Sequence, residues 1–108
     1  MVKYHDGLDS VANAMAHAGR RHIVDRLNAG PATTSELATL LDSGLPATMK
    51  QLTVLIDAGV VRRTKTGRTV RHELEAAPLI DYSTWLGARR SFWHGQLAAL
   101  EAAVARHD

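Results

Sequence analysis

The stretch TTSELATLLDSGLPATMKQLTVLIDAGVVRRTKTGRTVRHEL, Thr33 to Leu74, decides how this chain of 108 residues folds. It opens on Thr33-Thr34-Ser35-Glu36, a spacing in which a hydroxyl and a carboxylate satisfy each other's backbone amides at a helix start. Leu37, Leu40 and Leu41 then give that helix one apolar face. Asp42-Ser43-Gly44 interrupts it for only a few residues, so the next helix must cross the first rather than run back along it. The second helix carries Pro46 in its first turn, where a missing N–H is harmless, and it ends at Ala58-Gly59. Val60 to Lys65 and Arg68 to Leu74 follow as two extended runs around a turn at Thr66-Gly67.

Periodicity sorts the second helix into faces. At about 100° per residue, Leu45, Thr48, Met49, Leu52, Leu55 and Ile56 fall within about 60° of one line. They are expected to bind the helix to its domain, with Thr48 and Met49 at the edges of the stripe. Ala47, Lys50, Gln51 and Val54 point away or to the flank. Ala47, Lys50 and Gln51 lie in the N-terminal half, the part that a helix-turn-helix inserts into the major groove. There Gln51 can bond adenine through both ends of its amide, Lys50 can reach guanine or a phosphate, and Ala47 lets the backbone approach a thymine methyl. Thr48, on the edge, joins them as a candidate contact. On a helix alone these would read as ordinary solvated residues. The hairpin beside them changes that reading.

From Ala58 to His72 there are five basic residues, Arg62, Arg63, Lys65, Arg68 and Arg71, and no acid. The rest of the chain carries eight Lys and Arg against eleven Asp and Glu, so the overall pI of about 9.4 understates the asymmetry. Edge strands also use cations to block aggregation, but charge this dense beside two crossing helices reads as a phosphate clamp. Thr69 belongs to the same candidate surface. On the return strand Val70, His72 and Leu74 alternate with Thr69, Arg71 and Glu73, so one face is buried and the other presents Arg71. The order describes a mainly α fold with a β-hairpin wing, a winged helix-turn-helix, with double-stranded DNA as its expected partner.

The flanks complete one domain spanning 1–108: an arm at 1–7, the helix-turn-helix at 33–59, the wing at 60–74 and a terminal helix at 78–106. Leu8, Val11, Ala12 and Met15 form one helical stripe, and Ile23, Val24 and Leu27 a second that stops at Gly30-Pro31. From Pro78 onward Leu79, Tyr82, Leu86, Trp93, Leu97, Leu100 and Val104 recur at nearly heptad separations, and Trp85 and Phe92 widen the band. Such a helix needs two surfaces to pack on, its own domain and a second copy. Leu8, Val11, Met15, Leu86, Trp93, Leu97 and Leu100 are the expected homodimer interface. The alternative is a helix that wraps its own core.

Leu8 to Leu74 resembles the ArsR-type family of bacterial winged-helix repressors. The matching pieces are Ala14-Met15-Ala16, Gly19-Arg20-Arg21-His22-Ile23-Val24, Ser35-Glu36-Leu37-Ala38, Leu45-Pro46-Ala47-Thr48-Met49-Lys50-Gln51-Leu52, Leu55-Ile56-Asp57-Ala58-Gly59-Val60-Val61-Arg62-Arg63 and Gly67-Arg68-Thr69-Val70. Phe92-Trp93 looks like the family's terminal helix. The resemblance implies a cytoplasmic, nucleoid-associated bacterial homodimer that represses transcription from a pseudo-palindromic operator. The chain departs from the family at His17-Ala18-Gly19, where an Asp-Pro-Thr-like step is usual. It departs again at Met49 and Gln51, commonly Ser and His, and at Ser43, often a buried Leu.

Several chemistries have no foothold. The chain has no cysteine, which fits a reducing compartment and removes the thiols through which many family members sense metals. No segment is apolar enough to cross a membrane, and Met1 to Gly7 is no signal peptide. Among the histidines, His94 and His107 lie about 140° apart around the terminal helix, and Glu101 sits about 10 Å along it from His94. The family's metal patterns are absent there, because Ser83 follows Asp81 by two residues and Leu97 follows His94 by three. A metal-sensing variant would need a site between subunits, for example His5 or Asp6 with His94. No cofactor is expected and no effector is named by a motif. Without a phosphate loop, a His-Glu-x-x-His or a nucleophile elbow, no enzyme is expected. From a different class, a winged-helix protein-interaction module without DNA binding would not need the wing's charge.

Overall fold

A computed structural model describes residues 6–106. Helices α1 (Asp6–Met15) and α2 (Ala18–Leu27) lead into a two-residue strand β1 (Ala32–Thr33), then α3 (Thr34–Leu41) and α4 (Leu45–Asp57). Strands β2 (Val61–Thr66) and β3 (Thr69–Leu74) form the wing, and α5 (Ala77–Arg106) closes the chain. The sheet order is β1-β3-β2, antiparallel throughout, with Ala32 opposite His72 and Arg62 opposite Glu73. This is a winged helix-turn-helix with a long C-terminal helix.

The helix boundaries follow from local chemistry. Thr33 Oγ1 accepts from the Glu36 amide and Glu36 Oε1 accepts from the Thr33 amide, both at 3.1 Å, which completes the capping box. These bonds favour the ionised carboxylate, and the Glu36 pKa is lowered, chiefly by the Thr33 backbone bond. The helix-turn-helix corner turns on Asp42, whose φ of 50° is left-handed, a conformation that Asp tolerates better than most residues. Gly59 (φ 77°) ends α4, and Gly67 (φ 61°) opens the two-residue turn between β2 and β3, where the first position needs positive φ.

Val11, Ala14, Ile23, Leu27, Leu37, Leu52, Leu55, Val60 and Val61 are buried and pack as one core under the three-stranded sheet. Val11 is 2% exposed within a single copy, so it serves this core and not an interface between copies. Leu8 is half-buried, and Met15 packs against the core's edge. Residues 1–5 of the expected arm, including His5, lie outside the described residues, while Asp6 and Gly7 already belong to α1.

Two arginines close the end of α1. Arg20 donates from Nε to the Ala14 carbonyl (2.8 Å) and from Nη2 to the Asn13 carbonyl (2.7 Å), and Arg21 Nη1 donates to the Met15 carbonyl (2.7 Å). A helix C-terminus offers unpaired carbonyls and the negative end of its dipole, so it holds a cation without any carboxylate. Arg20 is accordingly buried, 6% exposed.

The terminal helix behaves differently along its length. Its 30 residues extend about 45 Å. Leu79 and Tyr82 pack against the core, but no residue of α5 is fully buried. From Leu86 the stripe runs beyond the domain, and the molecule measures 68 Å along its longest axis.

Candidate nucleic-acid interface

Thr48, Leu52 and Leu55 bind α4 to the core. Thr48 is 0% exposed and its hydroxyl donates to the Gly44 carbonyl at 3.0 Å, so it cannot touch DNA as expected from the sequence. Helical angle puts it at the edge of the stripe; packing puts it at the centre. Leu45 and Met49, expected to bind the helix to the domain, are instead 52% and 37% exposed. Ala47 and Lys50 are exposed on α4.

Gln51 is half-buried, and its Oε1 accepts from Arg20 Nη1 at 2.9 Å. A guanidinium only donates, so the amide must turn its oxygen inward and leave its NH2 outward. One oxygen lone pair is engaged, which disfavours the two-ended adenine contact expected of a solvated Gln51. The same guanidinium joins the end of α1 to α4, a link that no local pattern announces.

The wing's cations are not equivalent. Arg62 Nη2 lies 2.6 Å from Glu73 Oε2 and its Nη1 2.6 Å from Glu75 Oε1. The Glu73 bond, then the charges of Glu75 and Glu73, raise its pKa. Arg62, expected as a phosphate ligand, is thus held by two carboxylates at the wing's root. Glu73 and Glu75 also lower the net charge of residues 58–75 from +5 to +3. Arg63, Lys65, Arg68, Thr69 and Arg71 are exposed, and none of the four cations has a carboxylate in ion-pair reach among the described residues.

Register distributes them over two faces, since residues opposite each other in an antiparallel pair share a face. Arg71 faces the side of Thr64, whereas Arg63 and Lys65 share theirs with His72 and Val70. An open groove runs between the start of α3, the first turns of α4 and the wing, lined by Ser35, Leu45, Met49, Arg68, Thr69 and Val70 among others. His72, on the strand face expected to be buried, is 0% exposed, and its Nε2 shares a hydrogen bond with Thr34 Oγ1 at 2.9 Å. Its Nδ1 has no partner among the described residues. Burial, then the charge of Arg63, lowers its pKa.

Elsewhere, Leu86, Trp93, Leu97 and Leu100 stand 45–61% exposed along α5. Phe92 meets Trp93 edge-on with centroids 5.4 Å apart, and the Arg89 guanidinium lies 4.3 Å over the Trp85 ring. Among the described residues no three His, Asp or Glu side chains converge as metal ligands. No helix among them is long and apolar enough to cross a membrane.

No family model and no curated protein matches the sequence. Solved structures do. A crystal structure of an ArsR family transcriptional regulator is 36% identical, with a TM-score of 0.77 over 87% of this chain and 97% of that one. An ArsR-like transcriptional regulator from Rhodococcus sp. RHA1 is 30% identical, with a TM-score of 0.75 over 92% and 93%. A Mycobacterium bovis protein described as a homodimeric winged helix-turn-helix DNA-binding domain shares the fold at 22% identity and a TM-score of 0.65 over 82% and 84%. The two more similar regulators are matched over nearly their whole length, and on that ground the chain belongs to the ArsR family of transcriptional regulators.

Proposed function

We propose that this chain acts as a homodimer that binds a pseudo-palindromic operator in double-stranded DNA and represses transcription. The N-terminal half of α4 enters the major groove with Lys50 and Ala47 outermost, while Arg63, Lys65, Arg68 and Arg71 engage phosphates beside it. The observation that carries this reading is the company these four cations keep. They stand exposed, with no carboxylate in ion-pair reach among the described residues, on a hairpin that flanks the exposed edge of α4, while the fifth wing cation, Arg62, is paired with Glu73 and Glu75. A wing kept only for protein contact gains nothing from such a cluster.

The exposed stripe of α5 supports the dimer. Single apolar residues on a surface are ordinary, but a continuous row from Leu86 to Val104 is the kind of patch that marks an interface. Two copies would also present two α4 helices to half-sites about one DNA turn apart. The M. bovis neighbour, described as homodimeric, agrees with this arrangement.

The test is to select genomic fragments on the purified protein, with and without chelator, and to measure affinity for the enriched sequence against random DNA by fluorescence anisotropy. A two-fold symmetric motif bound by a sedimenting dimer is the expected result. No enrichment over random fragments, or tight operator binding by a monomer at micromolar concentration, would overturn the reading.

A further inference from the structure

Leu45 and Met49 present an anomaly. Large apolar side chains on a helix packed to its core are normally covered, and Leu52 and Leu55 on the same α4 are 0% exposed. Yet Leu45 is 52% and Met49 37% exposed, and both line the groove whose opposite wall is Arg68, Thr69 and Val70 of the wing. The groove therefore has an apolar floor at α4 and a rim of cation and hydroxyls, Arg68, Thr69 and Ser35. Lys65 stands opposite Val70 on the same strand face and adds a second cation to that side.

Charge complementarity selects the occupant. A cationic, hydroxyl-bearing rim suits phosphates, and the floor then meets whatever the same molecule exposes between them. Neither Leu45 nor Met49 can donate or accept a useful hydrogen bond, so neither can read the polar base edges. The major groove offers one apolar group at its base edges, the C5-methyl of thymine. Methionine suits that contact, being unbranched, polarisable and free to adapt its rotamer.

We propose that Leu45 and Met49 are specificity determinants that select thymine in each half-site by covering its C5-methyl group. The proposal rests on the operator-binding function above and assigns part of its sequence preference to two residues with no polar group.

Replacing thymine by uracil removes that methyl and nothing else. The experiment takes the selected operator, substitutes deoxyuridine at one thymine position at a time, symmetrically in both half-sites, and measures affinity by anisotropy at low salt. Wild type is expected to lose about four-fold in affinity per methyl at one or two thymines of each half-site, the factor that exposing one CH2-sized group produces. Met49→Ala or Leu45→Ala, folded by circular dichroism because both side chains are exposed, should bind the thymine and uracil operators alike at the position each covers. Equal binding of thymine and uracil operators by wild type at every position would overturn the proposal while leaving operator binding intact. So would thymine discrimination that survives unchanged in both variants, which would place the methyl contact elsewhere. Failure of wild type to prefer its operator over random DNA would overturn the function itself, a result distinct from either of these.

Discussion

Helices α4 and α5 both carry apolar stripes, yet in α4 Thr48, Leu52 and Leu55 lie against the core at 0% exposure, while in α5 Leu86, Trp93, Leu97 and Leu100 are 45–61% exposed. Spacing alone does not separate the two. The difference is where each helix sits relative to the domain's core. Helix α4 is surrounded by α1, α2, α3 and the wing, whereas among the described residues α5 packs on the core through Leu79 and Tyr82 in its first turns. The same periodicity therefore holds the domain together in one helix and leaves an exposed apolar row in the other.

The sharpest way to break this contrast is to truncate both stripes. Leu52→Ala should destabilise the domain by about 2–5 kcal/mol, as large-to-small changes at buried sites do. The same truncation of Leu97 should leave the denaturation midpoint of the monomer nearly unmoved. Chemical denaturation of dilute protein checks both, and equal losses would mean that α5 serves the core.

Trp93→Asp comes next in size. At 61% exposure Trp93 contributes little to the fold of one copy, so the variant should keep its helical circular dichroism. It should nonetheless sediment as a monomer, with affinity between copies weakened at least about 100-fold, since aromatic truncations at buried contacts cost about 3–5 kcal/mol. A variant that still sediments as a dimer would remove α5 from the interface.

Within the wing, Arg68→Ala is expected to reduce the slope of log K against log salt by about 0.9 for each phosphate left without its cation, equally on operator and random DNA. Arg62→Ala should leave that slope almost unchanged, because its guanidinium is already held by Glu73 and Glu75. Identical slope changes for the two would erase the distinction between internal clamp and phosphate ligand.

The smallest effect concerns pH. The folded state lowers the His72 pKa from 6.5, so the unfolded chain binds the additional proton first. Stability contributed by neutral His72 is present above about pH 6.5 and is lost as pH falls through the lowered value. The thermal midpoint should therefore decline between pH 7.5 and 5, and His72→Phe should flatten that decline whatever it does to the absolute midpoint.

What is legible in the chain is mostly local. The Thr33/Glu36 cap, the Asp42 corner, Pro46, Gly59 and the Gly67 turn each announce themselves within a few residues. The family pieces supply the order. What escapes reading depends on partners distant in sequence. Gln51 meets Arg20, 31 residues away, and Arg62 meets Glu73 only because the hairpin register sets them opposite. Val11 satisfies a helical period, but periodicity does not say whether a stripe meets its own core or a neighbour. Strand β1 gives no signal because two residues carry no alternation to detect. Leu45 and Met49 fit the stripe by angle, yet they sit where the wing stands off from the helix instead of closing over it.

Thr33 closes strand β1 and caps α3 with one backbone conformation, φ −80° and ψ 161°. One of its two jobs is settled within four residues. The other is settled across the chain, where Thr33 pairs with Arg71 beside the Ala32–His72 pair. Early in folding the capping box can form alone, but the edge strand cannot hold until β3 has returned to it. Once it has, releasing the wing frays the sheet at the point where α3 begins, so local opening of the two should be coupled. A substitution that loosens the wing should then also speed exchange of the Thr33 amide, which the Glu36 carboxylate protects, because the two are parts of one cooperative unit.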